Sequence, residues 1–390
     1  MKEISIDTEI KKHKHILVCG DNTNSLNILR SLGEKGICPT TIVQEEGHIQ
    51  MLKNSKYIGE AIYVNGFEEA VTKLLEYADK LCPPFVYITD DNHLQIIDAN
   101  YDSLQGKFYF FNAGSQGRLT QFLDKEQQCV LAEQCGFSVP KFEEVDRGQL
   151  PTKLAYPVIT KTSNSYSEGW KRDVTICYSP QELSEAYSRM ISKQLLLQEY
   201  VKKTGEYSMQ GISINGGDMI YMPFERMYLR YTKTSFGGYM YYQPFKNEEL
   251  QRKVQNMLKK IRFSGCFEIE FLVDKEQRLH FLEINLRFSA SNYGINIGRI
   301  NLPYLWAKST LLQTIDTRDL NPRLERYYVI NEVTDIQMAK KVGYFKWLKQ
   351  FINADGYYLW NREDKKPFFS WWRQKINRKV AKILHIKKAG

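Results

Sequence analysis

Three carboxylates and an amide stand at alternating positions in two neighbouring stretches. These are Phe267-Glu268-Ile269-Glu270-Phe271 and Phe281-Leu282-Glu283-Ile284-Asn285-Leu286-Arg287. In an extended chain alternate side chains share a face. Glu268 and Glu270 then point one way, while Phe267, Ile269 and Phe271 point into a core. In the second stretch Glu283, Asn285 and Arg287 share one face, and Leu282, Ile284 and Leu286 share the other. A turn over 274–277 would pair the two as a hairpin and set glutamate beside glutamate. Crowded carboxylates repel unless a cation lies among them. Oxygen-only ligands of this kind suit Mg²⁺, completed by water and substrate phosphates. The other reading of the same alternation is an amphipathic hairpin with a solvated polar face.

Two further stretches carry chemistry-bearing residues. Tyr156-Pro157-Val158-Ile159-Thr160-Lys161 is an apolar strand pattern that delivers a lysine, followed over 162–169 by Thr-Ser-Asn-Ser-Tyr-Ser-Glu-Gly. Backbone N–H groups of such a loop, with the lysine, cradle phosphates. The order GxxxxGK[ST] is absent, so this is not a P-loop. Its plainer reading is a solvated lysine at a strand end. Leu195-Leu196-Leu197-Gln198-Glu199-Tyr200-Val201, followed by Gly205-Glu206-Tyr207, offers backbone edges to a flat heterocycle and a carboxylate to ribose hydroxyls. The plainer reading there is a surface hairpin with ordinary charges.

The elements that must position these groups follow from periodicity. The run 15–19 is a strand pattern ending at Gly20. An amphipathic stretch, 25–32, comes next, and then strand patterns at 40–43, 61–64 and 85–89 with a helical pattern over 67–81. Strands alternating with helices predict a doubly wound parallel sheet, ending near Gly117. The opening lacks GxGxxG, which excludes a dinucleotide fingerprint. A helix beginning at Asp124-Lys125 runs toward Gly136. From about Tyr156 the texture turns strand-rich, and a helix over 248–261 precedes the acidic hairpin. Beyond Asp316 the sequence reads as a C-terminal extension rich in Tyr, Trp and Lys.

Composition bounds the rest. The chain has 390 residues with 43% hydrophobic and 25% charged, an ordinary globular composition with room for about two to four domains. No run approaches the ~18 apolar residues of a membrane span, and the first fifteen residues have no secretory h-region. Seven scattered cysteines without a CxxC pair argue against a disulfide framework and a cysteine zinc site. The expected place is the reducing cytoplasm. Net charge is +9, and residues 371–390 carry seven Lys or Arg and no acid, leaving +2 elsewhere. That concentration in one tail weakens a nucleic-acid reading.

In this order, Asp124-Lys125, strand-lysine-loop, QEYV…GE and FEIEF…FLEINLR resemble the ATP-grasp superfamily. The resemblance covers about residues 15 to 310, and within the superfamily the layout is similar to carboxylate–amine ligases, in particular the D-aspartate ligase-like branch of cell-wall and surface-polymer enzymes. It implies an α/β ATP-grasp fold in four parts. These are an N-terminal doubly wound domain (1–118), a small subdomain with a phosphate lid (119–200), a subdomain with the metal site (201–318) and an extension (319–390). It also implies roles. Lys125 and Lys161 would contact ATP phosphates, with Ser163, Ser165 and Gly169 in the lid. Gln198, Glu199, Tyr200 and Val201 would bind the cofactor, the backbones of Glu199 and Val201 meeting adenine, and Glu206 would hold the ribose. Glu270, Glu283 and Asn285 would bind Mg²⁺ or Mn²⁺. Arg287 would stabilise an acyl-phosphate, with Arg226, Arg230 and Lys233 as further candidates for anionic groups. Leu286 stands where proline is common. Glu268 replaces the arginine of D-alanine ligases, which weighs against a D-alanine–D-alanine ligase. The implied reaction joins a small-molecule carboxylate to an amine, with ADP and phosphate released. The alternatives are another ATP-grasp chemistry, a carboxylase or phosphotransferase, and a non-catalytic ATP-binding protein.

The tail has its own pattern. Ile376, Val380, Ile383 and Leu384 recur at helical spacing after Phe368, Phe369, Trp371 and Trp372, among basic residues. One reading is an interfacial membrane helix, placing the chain at the inner membrane surface. The other is a terminal helix packed on the protein's own body.

Overall fold

Four apolar runs build the first layer of the computed structural model, which describes residues 5–44, 51–164, 172–234 and 237–388. Strands β1 (His15–Gly20), β2 (Thr40–Gln44), β3 (Ala61–Val64) and β4 (Phe85–Ile88) lie parallel in the order β3-β2-β1-β4. β1 and β4 are buried along their whole length, as strands of a parallel sheet covered on both faces are. Helices Thr23–Gly33 and Asp91–Ala99 start directly after β1 and β4. Asn22 and Asp90 cap them, their side chains accepting the amides of Ser25 and His93. The strand order reverses between β1 and β4. In open α/β sheets that reversal opens a ligand crevice at the carboxyl ends of the strands.

The helix expected over 67–81 stops at Leu75. Ala70, Val71 and Leu74 form its buried stripe, whereas Leu81 is 98% exposed. Asp79 accepts the amides of Leu81 and Cys82 through one carboxylate oxygen and turns the chain there.

The second layer is a four-stranded antiparallel sheet of β5 (Phe142–Asp146), β6 (Val158–Thr162), β7 (Ile176–Cys177) and β8 (Gln194–Glu199), ordered β5-β8-β6-β7. It has its own small core around Val145, Val158, Leu183, Leu195 and Leu197. All four strands fall within residues 119–200.

The third layer is a seven-stranded sheet ordered β13-β12-β9-β10-β11-β14-β15. Its members are β9 (Gly205–Ile214), β10 (Met219–Tyr228), β11 (Tyr239–Pro244), β12 (Gly265–Val273), β13 (Leu279–Asn285), β14 (Tyr327–Ile330) and β15 (Gly356–Tyr357). The β9–β10 connection needs glycine at 217. Its φ is 93°, and a Cβ there would lie 2.4 Å from the amide nitrogen of Lys259 in the helix Glu248–Ile261.

The segment from residue 327 to the first turns of the last helix is woven into the body. β14 pairs with β11, and β15 pairs with β14. Buried Glu332 accepts the amides of Tyr358, Leu359 and Trp360. Arg30, fully buried in the helix Thr23–Gly33, donates to Asp364 Oδ2 at 3.1 Å, to the Asp364 carbonyl at 2.9 Å and to the Tyr358 carbonyl at 3.1 Å. The last helix, Lys366–Lys388, docks by its first turns. Trp371 is buried, and Phe368 and Trp372 pack against the core. Ile376 and Val380 are exposed, so the packed reading of the tail holds for the aromatic turns and not for these two residues. The side chains of Ile383 and Leu384 lie outside the described residues. Among the described residues no helix is long and apolar enough to cross a membrane.

Candidate functional site

The hairpin pairs in the register that alternation requires. Glu270 stands opposite Glu283 and Glu268 opposite Asn285, with a bulge just after Glu270. Asn285 Nδ2 donates to Glu270 Oε1 at 3.4 Å, and Arg287 Nη2 donates to Asn285 Oδ1 at 3.1 Å. Carboxylate, amide and guanidinium therefore form one connected row.

The two glutamates of β12 are pushed apart electrostatically. Burial opposes ionisation of Glu268, but the Arg226 guanidinium at 3.0 Å and seryl hydroxyls, including Ser291 Oγ at 2.7 Å, outweigh it and hold its pKa below the usual range. For Glu270 the Arg226 charge is too small an offset. Burial, then the charges of Glu268 and Glu283, raise its pKa well above the usual carboxylate value. A cation between Glu270 and Glu283 would relieve the strain. Among the described residues no three His, Cys, Asp or Glu side chains form a ready-made metal cage. Two carboxylates and an amide are instead a partial shell, which fits Mg²⁺ because that ion keeps waters and phosphate oxygens.

Lys161 leaves β6 toward the same region. Gln198 Oε1 accepts from its ammonium at 2.7 Å, and Gln198 is itself held through Nε2 by the Pro140 carbonyl at 3.3 Å. Gln198 therefore positions the lysine from within the stretch that the resemblance assigns to the cofactor. Burial, followed by the neighbouring Lys125 charge, lowers the Lys161 pKa to about 8. Lys125 starts the helix Lys125–Gln134, and its amide donates to the Ser163 carbonyl at 2.7 Å. Ser163 Oγ donates to Glu144. Ser165 and Gly169 lie outside the described residues.

A cleft of about 1010 Å³ has Glu199, Tyr200, Val201, Lys233 and His280 in its wall, while Glu270, Glu283, Asn285 and Arg287 are not among its lining residues. Lys203 and Thr204 continue its wall, and buried Lys203 is ion-paired to Glu206 Oε1. The other Glu206 oxygen is buried with no hydrogen-bond partner among the described residues. A ribose hydroxyl donating there would satisfy it.

Alternation could not reveal what faces Arg287. Its Nε donates at 2.7 Å to Asp91, the first residue of the helix Asp91–Ala99, and that pairing keeps the guanidinium charged despite burial. Asp90 lies close enough for its pKa to be lowered, against burial, by His93 and by Arg287. Asn24 Nδ2 bridges the carbonyls of Thr89 and Phe288. The acidic row thus abuts the crevice at the ends of β1 and β4. The signal in the sequence was Thr89-Asp90-Asp91 directly after an apolar strand, where α/β sheets place ligands.

Two basic candidates are engaged elsewhere. Arg226 is buried, stacks over Tyr228 at 4.4 Å and serves Glu268. Arg230 is buried against Asp335 and Gln350 of the extension, with Tyr239 beneath it at 4.6 Å. Lys233 remains at the exposed cleft wall.

No family model matches the chain. It is 25% identical over 233 residues to N5-carboxyaminoimidazole ribonucleotide synthase of Staphylococcus epidermidis, covering 58% of this chain and 59% of that protein. The chain thus spans somewhat over half the length of that curated relative. Among solved structures, N5-carboxyaminoimidazole synthetase from Staphylococcus aureus complexed with ADP superposes with a TM-score of 0.64 at 15% identity, over 84% of this chain and 85% of that one. L-amino acid ligase from Bacillus licheniformis gives 0.62 at 15% identity, over 81% and 79%. The chain shares the overall fold of these two solved structures, the α/β fold that the sequence resemblance implied.

Proposed function

We propose that the chain is an ADP-forming ligase that couples a small-molecule carboxylate to an amine at the expense of ATP. The observation that carries the reading is the row Glu270–Asn285–Arg287, with Glu283 opposite Glu270, set between Lys161 and the N-terminal crevice. In this reading the nucleotide base lies in the cleft beside Glu199, Tyr200 and Val201, and its ribose meets Glu206. Lys125 and Lys161 meet the phosphates. Mg²⁺ or Mn²⁺ would be held by Glu270, Glu283 and Asn285 and would neutralise charge on the transferring phosphoryl group.

The chain's own groups then divide the work. Lys161, fixed by Gln198, meets the γ-phosphate as the substrate carboxylate oxygen attacks phosphorus and ADP leaves. Arg287, fixed by Asp91 and Asn285, lies where negative charge develops when amine nitrogen attacks the acyl carbon and phosphate departs. The loop holding Ser165 and Gly169 would shield the acyl-phosphate from water. Arg230 and Lys233 were the other catalytic candidates. Lys233 keeps that place at the cleft wall, and Arg230 acts through the extension.

A second reading is carboxylation, favoured by the likeness to a carboxyaminoimidazole synthase. Measuring phosphate release with acid alone, amine alone and both together separates the readings. A ligase needs both for full turnover. Full release with bicarbonate and a single organic substrate would replace the ligase by a carboxylase, and no ATP-dependent release with any pairing would leave a binding protein.

Several finer points belong to the same proposal. The D-aspartate ligase-like branch, acting on an amino acid and a peptidyl or sugar-linked acceptor of a surface polymer, suits the motif order. The expected setting is cytoplasmic, with the basic tail touching the inner membrane surface. Nothing in the charge distribution favours nucleic acid.

The Lys161 assignment makes its own prediction. Phosphates beside the ammonium favour its charged form, so its pKa rises on binding. Nucleotide affinity should stay level up to about pH 8 and fall above it, as the free protein's Lys161 loses its proton. Lys161→Ala should abolish that pH dependence. It should weaken ATP by roughly ten- to a hundredfold, the scale of a charge-assisted hydrogen bond, and leave adenosine nearly unaffected. Calorimetric titration with both ligands checks this, and equal losses for the two would remove Lys161 from the phosphates.

A further inference from the structure

The helix Tyr344–Ile352 is apolar on the side where a surface helix is normally polar. Its inner side is fixed. Trp347 Nε1 donates to Asp335 Oδ2 at 2.7 Å, Gln350 accepts from Arg230, and Phe351 packs on Trp347 and Tyr357 with ring centroids 5.1 Å apart in each case. On the outer side Phe345 is 93% exposed, Tyr344 67%, Ile352 66% and Leu348 49%. With one face already packed, the other should carry charged and polar residues. A row of exposed large apolar side chains marks an interaction surface.

Charge selects the occupant. Lys340, Lys346 and Lys349 are exposed along the same segment, whereas Lys341 donates to the Tyr231 carbonyl at the cleft wall, and residues 336–354 contain no Asp or Glu. A second copy docking on this face by two-fold symmetry would set these lysines against their own equivalents. An anionic lipid surface meets both halves of the pattern, with apolar side chains at the headgroup boundary and ammonium groups on the headgroups. We propose that the outer face of the helix Tyr344–Ile352 is a peripheral membrane-docking surface for anionic bilayers. It does not depend on the ligase reading, and it adds to the tail a second, separately testable element whose inner face reaches Arg230.

The test is co-sedimentation of the full-length chain with vesicles of phosphatidylcholine, with and without phosphatidylserine. The parent protein should bind the anionic vesicles, weaken with added salt and ignore the neutral ones. Phe345→Ser/Ile352→Ser should lower anionic-vesicle affinity at least roughly tenfold, and Lys346→Gln/Lys349→Gln should also lower it and flatten the salt dependence. Far-UV circular dichroism and thermal melting matching the parent's would confirm that both variants fold, since these side chains are exposed. Truncation after Asp364 is a separate arm that reads the tail alone. A parent that fails to sediment with anionic vesicles, or a serine double variant that sediments like the parent, overturns the proposal. So does a parent that is dimeric by light scattering while the serine variant is monomeric, which would make the occupant a second copy.

Discussion

Glu283→Gln should abolish most ATP turnover while leaving the fold as stable as before or slightly more so. Glu270 and Glu283 face each other across β12 and β13, and the charge of Glu283 helps raise the Glu270 pKa. Removing that charge relieves repulsion in the metal-free protein, so thermal melting should stay level or rise. Turnover moves the other way. A carboxylate that helps hold a catalytic metal acts on several kcal/mol of charge stabilisation. With about 1.4 kcal/mol per decade, the loss should exceed roughly a hundredfold. Opposite movement of stability and activity distinguishes a functional carboxylate from a structural one. Near-normal ADP production by this variant would remove Glu283 from the metal site.

The second large effect concerns the extension. Asp364→Ala should cost about 3–5 kcal/mol of stability, because it leaves the fully buried Arg30 guanidinium without its counter-charge. It also strips acceptors from Ser55 Oγ and the Lys56 amide, at 2.8 and 2.9 Å. Arg30→Met/Asp364→Leu should recover much of that loss, since replacing both members of a buried pair by apolar groups is often nearly neutral. Urea midpoints of the three proteins decide the matter. A single variant as stable as the parent would show that the strap does not depend on this pair.

The acidic hairpin was legible in part. Strand alternation put Glu270, Glu283 and Asn285 on common faces, but the pairing of Glu270 with Glu283 also needs the connection over 274–278 and the bulge after Glu270, which alternation does not show. The parallel sheet was legible from apolar runs, and its strands at 40–44, 61–64 and 85–88 fall where the runs do. The overlong helix after Phe67 came from reading Leu81 as part of a stripe that ends at Leu74. The rest failed for one physical reason, that the partners are distant in sequence. Arg230 meets Asp335 across 105 residues, Arg287 meets Asp91 across 196, and the Arg30–Asp364 pair spans 334. Nothing local in a glycine-rich loop distinguishes an arginine reserved for a later aspartate from one offered to substrate. The same holds for Gln198, whose neighbours suggest a nucleotide base while its amide holds Lys161. The extension was opaque because β14, β15 and its short helices are too brief to show a period.

The Arg30–Asp364 pair also sets an order of events in biosynthesis. The helix Thr23–Gly33 is made early, yet the carboxylate that neutralises its guanidinium comes 334 residues later. At ~5–20 residues per second of translation, that is a wait of roughly 20–70 s. During that interval the emerging N-terminal sheet cannot seal the groove that Arg30 occupies without trapping an uncompensated charge. The domain made first therefore reaches its full stability only when the strap made last arrives. A ribosome-bound chain ending short of Asp364 should remain more open to proteolysis around the helix Thr23–Gly33 than the released protein.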